Sequence, residues 1–340
     1  MSGLLKEQNN VPAHPPGCKL NVSDMMEKHS LQIYQICTEP VFISQKSMTW
    51  RWILAGLTIY MIDLCFRLFR RRCHVKLLGV QVYECQLICL KLLKEGFNAQ
   101  PGQYVYLQCP HISFLEWHPF SISQCPTADD PSLTIHLRTN GDWSEYLKHY
   151  LLSGNDEKRE DIQECSKRNV IYLSSSSINK RLFVDGPYSS CFEDVLRYSV
   201  SICIAGGIGF TPFASILRYL SIDVKHIRKM KRLHFFWICR EVEVFKCFSK
   251  VLCEMFEMVW RKNHPDKFEL HLYLTKKESW DTIKNILQDS FPFLKPRIQF
   301  GRPQWDVLFE QWANTYKKID VGLFCCGPQR LNHEIKLLNR

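Results

Sequence analysis

Phosphate chemistry is the first that this sequence suggests. Residues 203–217 read CIAGGIGFTPFASIL: an apolar run, then Gly206, Gly207 and Gly209, then Thr211 and Pro212 ahead of a second apolar run. Glycines let a backbone approach a diphosphate closely, and the free N–H groups of a helix start attract it. Thr211 as a hydroxyl N-cap, with Pro212 at the first helical position, is such a start. The spacing is not G-x-G-x-x-G, and a bare turn between a strand and a helix accounts for the glycines equally well. What favours a site is company. CCGP at 325–328 and Arg240 in CRE close two other predicted strands at the same sheet edge, so three special sequences converge on one cleft.

A second motif, HPFSIS at 118–123, suits a planar cofactor. His118 and Pro119 fix a turn, and Phe120, Ser121 and Ser123 offer a ring and hydroxyls. Arg138, in HLRTNGDW, supplies a cation for a diphosphate. The plain alternatives are a strand core and a solvated arginine. Metal chemistry has no footing: the 12 histidines are dispersed, Cys325 and Cys326 are adjacent, and no ligand spacing emerges. The 16 cysteines are scattered, many within apolar runs, and read as buried thiols of a reduced compartment.

These residues need a scaffold, and the chain has material for two domains: 340 residues, 46% hydrophobic. From about 75 to 140, short β-like runs (VQVYECQLICLKLL, GQYVYLQCP, SLTIHLRT) separated by NAQPG and TADDP predict a small antiparallel barrel. The charged stretch 153–169 reads as a surface loop or inserted arm. From about 181, beginning with RLFVDG and SVSICIAG, strands alternate with helices, which predicts a doubly wound parallel sheet with ligands at the carboxyl ends of its strands.

Residues 50–72, WRWILAGLTIYMIDLCFRLFRRR, predict one transmembrane helix, with Arg51 and Arg67 at its ends and Asp63 an expensive interior charge. The basic flank Arg67, Arg70, Arg71, Arg72 and Lys76 places the following domains in the cytosol. The preceding segment carries a sequon at Asn21, as a lumenal loop would, and Cys18 and Cys37 share that side and are free to pair there. No apolar core marks MSGLLKEQNN as a cleavable signal, and a chain starting directly in a lumenal loop reads as a piece of something longer. The net charge of +10 favours anionic partners: phosphate-bearing cofactors, acidic lipid or nucleic acid. The basic run KHIRKMKR at 225–232 lacks an aromatic platform, so nucleic acid is not expected.

Taken together, HPFSIS, DGPYSS, AGGIGFTPFASIL, GRPQWD and CCGP, in that order, resemble the ferredoxin-reductase-like flavin and NADP module. They resemble more closely the NADPH oxidase family, with AHPPGC and FCCGP similar to its type-4 branch. The resemblance covers essentially the whole chain and implies an α+β two-domain architecture. A lumenal or extracellular loop (1–49) and the family's last transmembrane helix (50–72) would precede an antiparallel β-barrel FAD domain (73–180) and a doubly wound NADPH domain (181–340). It implies an NADPH-dependent FAD oxidoreductase that passes a hydride from NADPH to FAD and single electrons on to oxygen, forming superoxide or hydrogen peroxide. His118, Pro119, Phe120, Ser121, Ile122, Ser123 and Arg138 match flavin-contacting positions. Gly206, Gly207, Gly209, Thr211 and Pro212 match the NADPH diphosphate loop. Cys326, as the catalytic candidate, with Gly327 and Pro328 matches positions near the nicotinamide, and Arg240 and Arg302 are the candidates for the 2′-phosphate.

The departures also carry expectations. The family's haem-bearing helices are not in this chain, so haem is expected only if they are supplied. The family's carboxyl-terminal segment is missing after KLLNR, and Ser189 stands where the family usually has glycine. The implied localisation is a membrane of the endoplasmic reticulum or cell surface, with a small membrane oxidase subunit or a full-length oxidase as partner. A non-catalytic shortened isoform binding such partners is the competing reading. A cytochrome b5 reductase-like or nitrate reductase-like enzyme, distinguished by preferring NADH, is a third.

Overall fold

The structure, a computed structural model, describes residues 10–12, 42–44, 47–71, 75–153, 170–174, 180–223, 227 and 229–338. Asn21, Cys18, Cys37 and nearly all of the charged stretch 153–169 lie outside them. The chain divides into two compact units, residues 1–68 and 69–340.

The first unit contains an antiparallel pair, β1 (Asn10–Pro12) with β2 (Phe42–Ser44), and most of helix α1 (Thr49–Arg71). The helix expected over 50–72 is therefore present. Among the described residues, however, no helix is long and apolar enough to cross a membrane. Arg51, Asp63 and Arg67 interrupt the apolar run of α1, and each such charge costs about 3 kcal/mol at a bilayer centre.

The second unit begins with seven antiparallel strands: β3 (Lys76–Tyr83), β4 (Leu87–Leu93), β5 (Tyr104–Gln108), β6 (His118–Gln124), β7 (Leu133–Arg138), β8 (Val170–Ser174) and β9 (Phe183–Tyr188). Their order is β8-β3-β4-β7-β6-β5-β9, and a bridge from Val75 to Leu182 brings the start of β9 back beside β3, closing a barrel. Alternation decides which side chains fill it. Ile88, Leu90 and Leu92 of β4 are fully buried, while Cys89 and Lys91 between them face outward. Helix α2 (Asp142–Leu152), which local sequence does not predict, adds Trp143, Leu147 and Leu151 to the same core.

One boundary moves. RLFVDG, read as the first strand of the nucleotide-binding domain, is β9 and pairs antiparallel with β5, so the barrel runs to Tyr188 rather than stopping at 180. Local sequence cannot show this, because a buried strand looks alike in either sheet.

Five parallel strands follow: β10 (Val200–Gly206), β11 (Arg232–Cys239), β12 (Phe268–Leu274), β13 (Ile298–Phe300) and β14 (Val321–Cys326), in the order β13-β12-β11-β10-β14. Every residue of β10 is buried, as expected of a central strand covered on both faces. One face carries α3 (Thr211–Ile222), α4 (Val242–Arg261) and α5 (Trp280–Leu287); short α6 (Phe291–Leu294) adds Leu294. The other face carries α7 (Trp305–Thr315) and α8 (Gln329–Leu338). In the basic run, Ile227 and Met230 are core residues, so part of it is anchored inward.

Barrel and parallel sheet belong to one unit, and named contacts join them. The Gly102 N–H donates to Ser215 Oγ on α3 at 3.0 Å, and Ser190 Oγ donates to the Gly102 carbonyl at 2.6 Å. Gly102 has φ +90, and a Cβ there would meet Glu193 N at 2.9 Å, so this junction needs glycine. His136 of β7 lies 4.6 Å from the Phe248 ring of α4.

Candidate functional site

The chain leaves β10 toward β11 on one side and returns as β14 on the other. The carboxyl ends of β10 and β14 are thus a topological switch point, where an open parallel sheet forms a crevice. A cavity of about 380 Å³ lies there. Its lining brings together six of the residues singled out from sequence: Arg138, Gly206, Gly207, Arg240, Arg302 and Pro328. Arg330, at the start of α8, adds a fourth guanidinium, against two carboxylates, Glu241 and Glu334. None of the four arginines has an ion-pair partner among the described residues. Four exposed cations against two carboxylates that form no ion pair with them suit a multiply charged anion.

The glycines divide into two kinds. Gly207 has φ +56 and nothing within 4 Å of where a Cβ would stand, so it supplies a left-handed turn and leaves the cleft open. Its carbonyl accepts the Trp237 indole N–H at 2.9 Å, which fixes the peptide's orientation. Gly206 and Gly209 serve close approach instead. A Cβ on Gly206 would lie 2.7 Å from Pro328 Cδ, and one on Gly209 would collide with the Cys326 carbonyl. The two strand-end loops approach this closely because Gly206 and Gly209 present no side chain there.

Thr211 departs from expectation. A 3-10 turn, Gly207–Phe210, runs straight into α3, so Phe210 is the N-cap and no side chain caps the helix. Thr211 is the first helical residue and Pro212 the second, both buried beneath the loop rather than lining the cleft.

Strand β6 splits the flavin-like motif by its pleat. His118 and Phe120 lie against Trp143, with ring centroids 4.1 and 6.1 Å away. Ile122 continues that side into the core and is fully buried. On the other side, Pro119 and Ser121 pair with Tyr106 and Tyr104 of β5, which cluster with Tyr188 at centroid distances of 5.4 to 5.6 Å. Ser123 is buried, its hydroxyl donating to the Thr134 carbonyl at 2.9 Å and lying 2.7 Å from His136 Nδ1. Ile122 and Ser123 are thus committed to the interior; His118, Pro119, Phe120 and Ser121 remain for a ligand. The fit to a polar planar group has a physical mark: Trp143 Nε1 is buried without a hydrogen-bond partner, and an unmet buried donor costs about 1–3 kcal/mol.

Cys326 ends β14 half-buried and does not line the arginine cleft. Burial, then the nearby Cys191 thiol, push it up to about 11, so it is a neutral thiol at pH 7 and no thiolate nucleophile. Ser189 is exposed and is not among the residues of positive φ, so the serine there is unstrained. Among the described residues no group of three or more His, Cys, Asp or Glu could hold a metal ion.

This geometry has known counterparts. Residues 72–191 match the FAD-binding domain family and residues 198–338 the ferric reductase NAD binding domain family. The chain is 34% identical to NADPH oxidase 4 of Mus musculus, across 99% of this chain. It carries these two domains and is similar to NADPH oxidases along nearly its whole length. NADPH oxidase 1 of Rattus norvegicus is 31% identical across 97% of the chain. The chain spans 61% of the first of these relatives' length and 55% of the second's. Among solved structures, the Amycolatopsis cytochrome P450 reductase GcoB shares the fold, with TM-score 0.50 and 15% identity over 79% of this chain and 65% of that one.

Three features of the site are not evident from local sequence motifs alone. Trp143 sits in the quoted HLRTNGDW, but its partnership with His118 needs α2 to turn back over β6. Arg330 follows CCGP by two positions, a signal that was available. The tyrosine cluster was visible as alternation in YVYL, although Tyr188 joins only through the β5–β9 pairing.

Proposed function

We propose that this chain is an NADPH-dependent FAD oxidoreductase of the NADPH oxidase type, feeding electrons toward oxygen to give superoxide or hydrogen peroxide. The observation that carries it is the cleft at the β10/β14 switch point, with four arginines that have no ion-pair partner among the described residues around an open glycine turn, facing a barrel of FAD-binding kind. Arg240 and Arg302 would hold the 2′-phosphate and Gly206, Gly207 and Pro328 the diphosphate wall, while Arg138 reaches the cleft from the barrel side. His118, Phe120 and Ser121 would position the flavin, with Trp143 Nε1 donating to it. FAD, when bound, accepts two electrons together and releases them singly. Cys326 would border the nicotinamide as a neutral thiol, shaping the approach without exchanging a proton at pH 7.

The reading extends to place. The exposed apolar residues of α1, Trp52, Ile59 and Phe66 among them, support a membrane association for that helix, and the basic flank Arg70, Arg71, Arg72 and Lys76 supports a cytosolic side for the domains that follow. A small membrane subunit or a full-length oxidase is then the partner that receives or completes the electron path.

The test is reconstitution of the purified chain with FAD, followed by dye reduction and oxygen consumption with NADPH and with NADH. Retained flavin and turnover favouring NADPH are expected. Failure to retain FAD, or a preference for NADH, would overturn the reading.

A further inference from the structure

Cys85 and Cys247 bring two thiols together across the junction of barrel and nucleotide domain. Their sulfurs are 3.7 Å apart although 162 positions separate them in sequence. Cys85 is the middle residue of the turn 84–86 between β3 and β4. That turn is fixed by Gln86 at φ 56, whose carbonyl accepts the Thr139 N–H at 2.8 Å. Cys247 stands near the start of α4, its sulfur within hydrogen-bond reach of both the Glu243 carbonyl, at 3.4 Å, and Cys85. Each sulfur borders a cavity: Cys85 lines the arginine cleft, and Cys247 lines a second cavity of about 500 Å³ between α4 and the outer face of β3, β4 and β7. The pair thus lies between two cavities.

We propose that Cys85 and Cys247 are an oxidative modification site, forming a reversible disulfide with hydrogen peroxide as oxidant and fastening the β3–β4 turn to α4 at the edge of the arginine cleft. Closing the sulfurs from 3.7 Å to the ~2.0 Å of a disulfide asks for less than ~2 Å of movement. The hydrogen bond from Cys247 holds the Cys85 thiol below its ordinary range, while the same bond and burial push Cys247 well up. Cys85 is therefore the attacking sulfur.

The chemistry balances with one peroxide. The Cys85 thiolate attacks one peroxide oxygen, the O–O bond breaks, and the departing hydroxide takes a proton to become water, leaving Cys85 as a sulfenic acid. The Cys247 sulfur then attacks the Cys85 sulfur, the S–O bond breaks, and the hydroxyl leaves with the Cys247 proton as a second water. Two thiols are oxidised and one peroxide is reduced to two waters. Dithiothreitol returns both thiols.

The full chain, reduced and then treated with hydrogen peroxide, is digested without reduction and its cross-linked peptides are identified by mass spectrometry. The expected result is a dominant Cys85–Cys247 peptide that vanishes with dithiothreitol and persists in Cys89→Ser. Free alkylation of both thiols after peroxide, or a dominant bond between other cysteines, would overturn the proposal. Dimedone trapping checks the order of attack: in Cys247→Ser the adduct forms on Cys85, and an adduct on exposed Cys65 alone would count against it. Neither readout uses NADPH or flavin turnover, so the site stands or falls apart from the activity.

Discussion

Gly207 and Gly209 are two positions apart in one turn and should answer differently to the same methyl group. In Gly207→Ala the new Cβ meets nothing but adopts φ +56, a left-handed strain of about 1–2 kcal/mol. In Gly209→Ala the Cβ meets the Cys326 backbone carbonyl, which cannot rotate away, so the loss should reach the upper end of the ~1–3 kcal/mol seen for overpacking. Urea denaturation checks the ranking, and NADP⁺ calorimetry on Gly207→Ala should show weakened binding out of proportion to its stability loss. The arginines make a second residue-level prediction. Replacing Arg240 or Arg302 with alanine should weaken NADP⁺ roughly 10- to 100-fold, the worth of a charged hydrogen bond. NAD⁺ binding should hardly change; equal losses for both nucleotides would place neither guanidinium at the 2′-phosphate. At this scale the sequence was a good guide to which residues gather, since Gly206, Gly207, Arg240, Arg302 and Pro328 all reach one cleft. It could not separate glycines that open space from glycines that permit contact, because that depends on what the neighbouring loop places opposite.

Among the elements, β6 and β7 explain why a motif read as one unit serves two purposes. The period of two sends Ile122 into the barrel core. The opposite face turns Ser123 toward His136, so a six-residue string cannot all face a cofactor. The same pleat makes His136 a pH-sensitive support. Burial, and then the nearby Arg218 charge, push its imidazole down from 6.5 to about 3. Unfolded chain takes up a proton as pH falls below 6.5, whereas the folded protein does so only near 3, so stability is full above 6.5 and drains away between those values. The slope implies a loss of roughly 2 kcal/mol between pH 6.5 and 5. Urea midpoints across that interval should fall, and in His136→Gln the fall should be shallower. Glu269 does not interfere there. Hydrogen bonds from His234 and His271 hold its carboxyl far below its ordinary 4.5, so its stabilisation is lost only once pH drops under that value. Helix α2 and the barrel membership of β9 were illegible for a related reason. Both are set by long-range pairing, β9 with β5 and Trp143 with His118, and local periodicity is silent on partners.

On the scale of the whole molecule, fold class was legible because strands and helical segments alternate after residue 200, whereas membrane attachment is left to physical argument about α1. Twenty-three residues of helix are long enough to matter, yet Arg51, Asp63 and Arg67 depress its hydropathy. Trp52, Ile59 and Phe66 are nevertheless 86%, 70% and 65% exposed. Apolar surface spread along a helix in this way calls for cover. The net charge of +10 offers a rival explanation for any affinity toward acidic vesicles, and salt separates the two. At 1 M salt the screening length shrinks to about 3 Å, which abolishes attraction between surface charges while leaving apolar burial intact or stronger. The full chain should therefore float with vesicles of mixed neutral and acidic lipid and stay there in 1 M salt. The double variant Ile59→Glu, Phe66→Glu should lose that salt-resistant fraction while binding NADP⁺ as before, since no residue of the arginine cleft is touched. Complete release of the unsubstituted chain by salt would assign membrane affinity to net charge and remove α1 as its anchor.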